Sequence, residues 1–544
     1  MLKIHFRKLN LTQLRSIAIA FSSGIVMGLA TAPLNWWGLA WVALIPLWVM
    51  VSRQSPLSQP TGSRWRFNSI YLLPLAWGIA YHGLALSWIT GLHPLTWMGV
   101  PWVASIAIAL FCWGFITLWG AAIVVIWTWG VRQLLLWDEG DRSSSPALSL
   151  TIRRVLIATA LWCGLEWIWS LGSLYWTSLS YTQSPGNVVI LHLGQLSGPT
   201  VVTAAIVAVN GLLAEAWMNY RGQRLVTSRW QQLFGIAAIL VIGLSAIGGW
   251  LYSRPLGQAP EAALKVGVIQ GNVPTRIKLS AAGVRRAIDG YVSGYEMLAA
   301  QGVDAVLTPE GALPLLWNGQ TANQNPFDQA VVDQKVVAWL GTFFRQDDRI
   351  TQSLLTLTTQ GEVFSRYNKI KLVPLGEYIP FQEILGAVIG RLSPMKTSMQ
   401  PGTAAQRFDT PFGRAIASIC YESAFPELFR AQAASGGEFI LTASNLDPYS
   451  EVLMAQHEAQ DLMRAIETDR WAVRATNTGY SGVIDPHGRI VWRSQPHEYQ
   501  IHTETIARRQ TQTLYVRWGD WLTPGLIGLG GSWLVVSRWV QNRK

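Results

Sequence analysis

The most informative stretch of the chain is Ile416–Ala417–Ser418–Ile419–Cys420–Tyr421–Glu422–Ser423. An apolar run rich in β-branched residues ends here in a cysteine, an aromatic residue and an acid. That pattern predicts a buried strand that carries a thiol to the edge of a sheet. The two other cysteines, Cys112 and Cys163, lie inside long apolar runs. We therefore treat Cys420 as a candidate nucleophile, with an ordinary buried core cysteine as the alternative.

Composition divides the 544 residues into three parts. Half of the residues are hydrophobic and only 13% are charged, but the apolar residues concentrate in 12–253 and 521–540. Residues 261–510 have the mixed composition of a folded domain outside a membrane. This distribution predicts a polytopic α-helical membrane protein with one large extramembrane domain before its last span. The net charge of +11 does not indicate nucleic-acid binding, because the basic residues cluster at the ends of apolar runs.

Eight apolar runs approach or exceed the roughly 20 residues that a helical span needs. The predicted spans are residues 13–32, 35–52, 68–90, 101–131, 153–173, 190–217, 231–253 and 521–540. The basic start of the chain resembles a signal peptide, but more spans follow at once, so we expect an uncleaved first helix. Aromatic residues such as Trp169, Tyr175 and Trp176 crowd the predicted outer ends, as in interfacial aromatic belts. The alternative to a belt is that these aromatic residues form a rim that receives the acyl chains of a lipid.

Basic and uncharged loops alternate along the chain. Arg53, Arg132 and Arg221 lie in or beside basic loops, whereas residues 90–101 and 170–188 contain no Lys or Arg. Under the positive-inside rule this alternation places both termini in the cytoplasm. Seven predicted spans precede residue 261, so the extramembrane domain is expected outside the cytoplasm.

One acid lies within a predicted span, at Glu166. A carboxylate inside the bilayer is costly unless it is paired or hydrated. A structural hydrogen bond to a neighbouring helix is the favoured explanation, and a water-filled cavity under the outer domain is the alternative.

Residues 261–510 alternate between short strand-like runs and helical periodicity, which predicts an α/β sandwich. Strands are predicted to end at Gln270, Thr308, Arg366, Ile419, Ala443 and Thr476. Four polar residues fall at or just after predicted strand ends: Glu310, Lys369, Cys420 and Asn445. Functional groups of α/β folds collect at such ends, so we expect these residues to share one site.

A cysteine, a glutamate and a lysine form a workable catalytic set. A thiolate is a nucleophile, a carboxylate can take the thiol proton, and an ammonium can stabilise an oxyanion. No histidine lies near these motifs in the sequence; His457, for example, falls in a predicted helix, so a Cys–His pair is the weaker hypothesis. Each residue also has an ordinary explanation: a turn for Glu310, a solvated charge for Lys369, and a polar helix or turn residue for Glu377.

The order of three motifs makes the assignment more specific. Thr308–Pro309–Glu310, then Tyr367–Asn368–Lys369, then Ile419–Cys420–Tyr421–Glu422 resembles the nitrilase, or carbon–nitrogen hydrolase, superfamily with its Glu–Lys–Cys triad. Seven spans before such a domain and one after it are similar to the apolipoprotein N-acyltransferase family of bacterial envelopes. Further segments similar to that family are residues 181–183, 209–210, 268–274, 367–380, 464–467, 476–479 and 488–490.

The resemblance implies an α-β-β-α sandwich at residues 259–512, after a seven-span domain at 1–258 and before a last helix and tail at 513–544. It implies a multi-pass protein of the bacterial inner (plasma) membrane, with the catalytic domain on the periplasmic side. Glu310 would be the proton acceptor, Cys420 the nucleophile, and Lys369, with a backbone N–H near Tyr421, the oxyanion stabiliser. No cofactor and no metal are implied.

The implied reaction moves a fatty acyl group from the sn-1 position of a phospholipid, such as phosphatidylethanolamine, to Cys420. The resulting thioester then acylates the amino-terminal amine of an S-diacylglyceryl cysteine on an apolipoprotein. The remaining residues singled out support the triad or bind or gate substrate: Glu377, Tyr421, Glu422 and Asn445. Two departures from the family pattern concern gating, namely Leu279 in place of a frequent Trp, and the sequence of residues 445–449.

Two other functions fit parts of the pattern. A membrane-tethered amidase or nitrilase would share the triad but would act on a small C–N substrate. A transporter with an external binding module would explain the spans but not the triad, and the chain has few intramembrane charges for that role.

A reporter fusion at Gln400 tests the predicted orientation. Position 400 follows seven predicted spans and an amino terminus expected in the cytoplasm, so it is expected outside the cytoplasm. A fused alkaline phosphatase, which matures only outside the cytoplasm, should be active there. Strong signal from a reporter that matures only in the cytoplasm would contradict the orientation.

Overall fold

The computed structural model describes residues 10–53, 71–141, 147–222, 229–257, 259–317, 325–346, 349–378 and 399–541. Some features of the sequence analysis lie outside these residues, among them several basic loop residues and the last two residues of the 367–380 segment. The described residues form a helical part and, between residues 263 and 507, two β-sheets with their covering helices. This architecture confirms the predicted class of a helical membrane domain joined to an α/β domain.

The helical part is made of apolar helices on both sides of the sheet domain in the sequence. Its main helices are Leu11–Gly28, Ile45–Arg53, Leu72–Ala85, Trp102–Asp141, Ala147–Leu171, Thr200–Gly222, Arg229–Tyr252 and Leu522–Gln541. Among the described residues, five helical segments are long and apolar enough to cross a membrane: Leu11–Gly28, Trp102–Leu136, Leu148–Leu171, Thr200–Arg221 and Arg229–Tyr252. Each of the eight predicted spans overlaps one of the main helices, and the number of spans stays a prediction.

The predicted span 190–217 is interrupted in the structure. Two short helices, Val188–Leu191 and Gly194–Ser197, precede the long helix that begins at Thr200. Gly198 lies between the second short helix and the long helix with a φ of +72°, a conformation that glycine adopts without steric cost. A Cβ at Gly198 would lie 2.6 Å from the ring of Tyr515, so the close approach also requires glycine.

Small residues let the membrane helices approach closely. A Cβ at Gly24 would lie 2.3 Å from the carbonyl oxygen of Trp77, and one at Gly78 would lie 2.7 Å from the Cα of Ala121. Glycine at such contacts is typical of helix packing in membranes, where backbone proximity rather than water exclusion drives association. Four fully buried tryptophans fill the space between these helices: Trp48, Trp77, Trp127 and Trp162.

Thirteen described strands form the two sheets. They are β1 Ala263–Gln270, β2 Ala305–Leu307, β3 Leu313–Trp317, β4 Val337–Gln346, β5 Arg349–Leu357, β6 Val363–Asn368, β7 Phe408–Thr410, β8 Gly413–Ile419, β9 Phe439–Ser444, β10 Ala472–Thr476, β11 Gly482–Ile484, β12 Ile490–Arg493 and β13 Gln500–Ala507. The first sheet has the order β13-β1-β2-β4-β5-β6, with β3 beside β4, and the second has the order β12-β11-β10-β9-β8-β7. Strands β1, β2 and β4 are parallel, as are β8, β9 and β10.

The two sheets pack face to face and carry helices on their outer faces. Val266 of β1 and Leu354 of β5 share one buried cluster with Ile416 of β8 and Ile440 of β9. Ile269 points the other way and packs with the outer helices of the first sheet, because side chains alternate along a strand. Those outer helices are Ala281–Ala300 and Pro326–Gln334, and the second sheet is covered by Pro426–Ala434 and Glu451–Thr468.

Residues 172–187, between the Ala147–Leu171 and Val188–Leu191 helices, join the two parts of the molecule and are called the membrane loop below. The Tyr181 hydroxyl donates to the carbonyl of Ala424 at 2.9 Å, and the Trp176 indole N–H donates to Gln456 Oε1 at 2.8 Å. Trp169, Tyr175 and Trp176 are buried among protein side chains. The aromatic-belt interpretation is therefore wrong for these three residues, because their partners are protein groups rather than lipid.

Glu166 organises the membrane side of this loop. Its Oε1 accepts from the Trp162 indole N–H at 3.0 Å and the Leu179 backbone N–H at 3.0 Å. Its Oε2 accepts from the hydroxyls of Ser178 at 2.8 Å and Thr203 at 3.0 Å. Four donors satisfy the carboxylate, which agrees with the structural explanation for this intramembrane acid.

Replacing Glu166 by Leu should destabilise the folded protein. The substitution leaves four buried donors without their acceptor, and each unpaired buried group costs about 1–3 kcal/mol before relaxation. We expect a lower midpoint of thermal unfolding for Glu166→Leu in lipid nanodiscs, with a smaller decrease for Glu166→Gln, which keeps one acceptor oxygen. An unchanged midpoint for the Leu variant would contradict a structural role.

Candidate active site

Cys420 begins a tight turn at the end of a central strand. Strand β8 ends at Ile419, and residues Cys420–Ala424 form one 3₁₀ turn. Cys420 has a φ of +52°, which is unusual for a residue with a side chain and persists only where the surroundings enforce it. The side chain is buried, and its Sγ lies 4.0 Å from the carbonyl oxygen of Asn445, which follows the neighbouring strand β9.

Glu310 reaches the same point from the first sheet. It lies in the turn after β2, and its Oε2 accepts from the Asn445 backbone N–H at 2.9 Å. One residue, Asn445, therefore contacts the thiol through its C=O and the carboxylate through its N–H. The turn packs tightly on β4, because a Cβ at Gly341 would lie 2.0 Å from the carbonyl oxygen of Pro309.

Lys369 follows β6 and is held between two carboxylates. Its Nζ lies 2.9 Å from Glu310 Oε1 and 2.6 Å from Glu377 Oε1, and the residue is only 1% exposed. Burial by itself would lower the pKa of Lys369, but the charges of Glu310 and Glu377 outweigh it and raise that pKa well above its usual value. The ammonium is thus kept charged inside the protein.

Glu377 is a direct partner of the lysine. Its second oxygen, Oε2, accepts from the Val373 backbone N–H at 2.8 Å. Burial raises the pKa of Glu377, while the charge of Lys369 opposes that rise. The supporting position predicted for Glu377 is therefore, in the structure, a contact with the proposed oxyanion stabiliser itself.

The thiol of Cys420 is protonated at rest. Burial raises its pKa most, the charges of Glu310 and Glu377 raise it further, and the charge of Lys369 opposes them. A thiol with a raised pKa needs a base at the moment of attack, and a carboxylate in the same cluster can supply it.

Glu422 and Tyr421 fix the turn on two sides. Glu422 accepts from the backbone N–H groups of Ile370 at 2.5 Å and Ile419 at 2.7 Å, and burial raises its pKa to about 7. The Tyr421 hydroxyl donates to the carbonyl of Tyr175 at 2.9 Å. The ring of Tyr421 stacks on the indole of Trp176, with 5.9 Å between the ring centroids. Glu422 thus ties the turn to the segment after Lys369, and Tyr421 ties it to the membrane loop.

The structure brings Glu310, Lys369, Glu377 and Cys420 into one cluster with the backbone of Asn445. Leu279, the departure from the family Trp, is 67% exposed and lies outside that cluster. Sequence reasoning did not single out its neighbour Lys278, whose Nζ donates to the carbonyl of Glu310 at 3.1 Å. Burial lowers the pKa of Lys278 to about 8.

One histidine that lies far from these motifs in the sequence contacts the Cys420 backbone in the structure. His457 is on the Glu451–Thr468 helix, and its Nε2 lies 2.7 Å from the carbonyl oxygen of Cys420. It contacts the backbone and not the thiol, so it does not form a Cys–His pair of the protease type. Its distance in the sequence from the Cys420 motif hid the contact.

A buried thiol, a carboxylate and an ammonium lie together at the strand ends of the two-sheet domain, which is the arrangement expected of the carbon–nitrogen hydrolase class. The family model for carbon–nitrogen hydrolases matches residues 265–515, and that for the amino-terminal domain of apolipoprotein N-acyltransferases matches residues 23–212. Relatives of the same name, 53% and 46% identical over more than nine-tenths of the chain, show that the chain belongs to the apolipoprotein N-acyltransferase family.

Relatives of that name match over nearly the whole chain. One from Nostoc sp. is 53% identical over 503 residues, which cover 92% of this chain and 96% of the relative. One from Synechocystis sp. is 46% identical and covers 95% of this chain and 100% of its own length. Among solved structures, an amidase from Nesterenkonia sp. is 16% identical with a TM-score of 0.36, covering 48% of this chain and 95% of its own.

The pH dependence of Cys420 alkylation tests the electrostatics of the cluster. Lys369 favours the thiolate, so Lys369→Met should move the inflection of the Cys420 alkylation rate to higher pH. Alkylation by iodoacetamide, followed by mass spectrometry of the Cys420 peptide, measures this inflection. Lys369→Arg keeps the charge and serves as the control; a shift to lower pH in the Met variant would contradict the assignment.

Proposed function

We propose that this protein transfers a fatty acyl group from a membrane phospholipid to the amino-terminal amine of diacylglyceryl apolipoproteins, through a thioester on Cys420. The proposal is supported chiefly by one observation: a buried thiol shares a cluster with Glu310 and Lys369 in a chain whose relatives are named for this reaction. Family membership over both parts of the chain favours acyl transfer over a tethered amidase or a transporter.

In the first half-reaction, Glu310 takes the proton of Cys420 as the sulfur attacks the sn-1 ester carbonyl of the phospholipid. The negative charge that develops on the carbonyl oxygen is stabilised by the ammonium of Lys369 and by a backbone N–H near Tyr421. The ester C–O bond then breaks, and the proton on Glu310 passes to the departing oxygen. Lysophospholipid leaves, and the acyl group remains on Cys420 as a thioester.

In the second half-reaction, the amine of the S-diacylglyceryl cysteine attacks the thioester carbonyl. Glu310 takes a proton from the attacking nitrogen and returns it to the sulfur as the C–S bond breaks. The products are an amide and the free thiol. An amide is more stable than a thioester, so the transfer runs towards N-acylated lipoprotein.

The membrane part is needed because both substrates are lipids. Extracting an acyl chain from a bilayer costs about 0.8 kcal/mol for each buried CH₂ group. Apolar helices that hold the sheet domain at the bilayer surface remove the need for extraction. We assign residues 1–258 and 513–544 to this membrane part and residues 259–512 to the catalytic domain, on the periplasmic face of the inner membrane with both termini cytoplasmic.

Phosphatidylethanolamine is the acyl donor that we propose to test first. Glu377, Tyr421, Glu422 and Asn445 are assigned to support of the triad or of the substrate path. Their contacts with Lys369, the membrane loop, the backbone after Lys369 and Glu310 support these assignments.

Incubation with a defined phospholipid, followed by mass spectrometry of the Cys420 peptide, tests the reaction. The wild type should gain one acyl group on Cys420, and Cys420→Ala should gain none. Glu310→Gln should form the thioester at least about a hundredfold more slowly, since general-base catalysis contributes about 10²–10⁴-fold. Acylation of another residue in Cys420→Ala, or an unchanged rate in Glu310→Gln, would refute the assigned roles.

A further inference from the structure

Three carbonyl groups of the nucleophile turn, Cys420–Ala424, accept hydrogen bonds from side chains outside the turn. The Cys420 carbonyl accepts from His457 Nε2 at 2.7 Å, and the Ser423 carbonyl accepts from Arg464 Nη1 at 3.3 Å. The Ala424 carbonyl accepts from the Tyr181 hydroxyl at 2.9 Å. Two of these donors come from the Glu451–Thr468 helix and one comes from the membrane loop.

The bond to Cys420 differs from the other two because it acts on the strained residue itself. Cys420 has a φ of +52°, and such a conformation costs of order 1–3 kcal/mol unless neighbouring contacts enforce it. The carbonyl of Cys420 and its side chain share one Cα, so fixing the carbonyl limits where Sγ can lie. A donor at this carbonyl therefore constrains the thiol without touching it.

The protonation state of His457 is fixed by a second pair of buried residues. Arg474 Nη2 lies 3.1 Å from His457 Nδ1, and Arg474 Nη1 donates to Asp461 Oδ2 at 2.5 Å. A guanidinium has only donors, so Nδ1 must be the acceptor and the single proton of the neutral imidazole is on Nε2. Burial is the largest influence on the imidazole and lowers the pKa of His457 to about 4, which keeps the ring neutral at pH 7.

We propose that His457 is a positioning residue for the acyl transfer: its Nε2–H holds the Cys420 carbonyl and thereby aims the thiol at the donor ester. Arg474 and Asp461 keep that proton on Nε2. This inference rests on the proposed function, and it assigns to an Asp461–Arg474–His457 chain a task that the Glu–Lys–Cys cluster does not perform.

Three substitutions of His457 separate the hydrogen bond from the packing of the ring. In His457→Leu the donor is lost while the volume is nearly kept. In His457→Gln the amide N–H can reach the Cys420 carbonyl, and the amide oxygen can accept from Arg474. In His457→Asn the amide is polar but too short to reach the carbonyl. Gln460→Leu is the matched control, because Gln460 is equally buried on the same helix and, within the described residues, its side-chain amide makes no hydrogen bond.

The expected result is a loss of thioester formation that follows the hydrogen bond. The single-turnover rate of Cys420 acylation should fall about tenfold to a hundredfold in His457→Leu and His457→Asn, because a small misplacement of a nucleophile has effects of that size. His457→Gln and Gln460→Leu should stay within about threefold of the wild type. The phospholipid concentration that gives half of the maximal single-turnover rate should be unchanged in all four, since the proposal assigns His457 to the Cys420 backbone and not to lipid binding.

Alkylation of Cys420 by iodoacetamide gives a readout that does not depend on acyl transfer. It should slow in the Leu and Asn variants and recover in the Gln variant, with the unfolding midpoint recorded for each. If His457→Leu does not fold, the rates of His457→Gln and His457→Asn are compared instead. The inference would be overturned if His457→Gln and His457→Asn formed the thioester at equal rates. It would also be overturned if His457→Leu formed it no more slowly than Gln460→Leu. Absence of thioester in the wild type, with alkylation still dependent on His457, would instead reject the proposed function alone.

Discussion

The ammonium of Lys369 lies buried between the carboxylates of Glu310 and Glu377, and the rest of the site is arranged around that contact. Breaking a buried ion pair by removing one partner costs about 3–5 kcal/mol, because a charge is left without compensation in a medium of low polarity. The cluster has one cation for two carboxylates, so its net charge disfavours a thiolate at rest. The same shortage of positive charge leaves a carboxylate able to accept a proton. Resting stability and readiness to react thus come from one arrangement of charges.

The backbone of Asn445 connects this cluster to the thiol. Its N–H binds Glu310, which follows a strand of the first sheet, and its C=O faces Cys420, which follows a strand of the second. The parallel register of β8 and β9 sets this arrangement, because Ile419 pairs with Ala443 and both strands end within one residue of each other. Local strand pairing therefore sets the distance between Cys420 and the backbone group that binds Glu310.

The sequence was sufficient for the class of fold and for the principal residues of the cluster, for identifiable reasons. β-Branched runs predicted β1, β8, β9 and β10, and the polar residues after β2, β6, β8 and β9 indicated the site. Strand β13 was not predicted, because Gln500–Ala507 is half-exposed and its polar and apolar residues do not form a clear strand pattern. The contact of His457 with Cys420 could not be predicted, because the two residues are 37 positions apart in the sequence. It depends on how the helix that carries His457 packs against the turn. Periodicity describes faces of single elements, and it carries no information about which distant element a face will meet.

Tyr421 is bound to the carbonyls of the membrane loop, and Tyr181 of that loop is bound to the carbonyl of Ala424. The depth of the sulfur relative to the lipid is consequently set by a rigid hydrogen-bonded joint and not by the length of a tether. Membrane helices adjust to bilayer thickness by tilting or by deforming the lipid around them. With such a joint, tilt of the helices is transmitted to the reacting atom, so the thickness of the host membrane becomes a variable of catalysis itself.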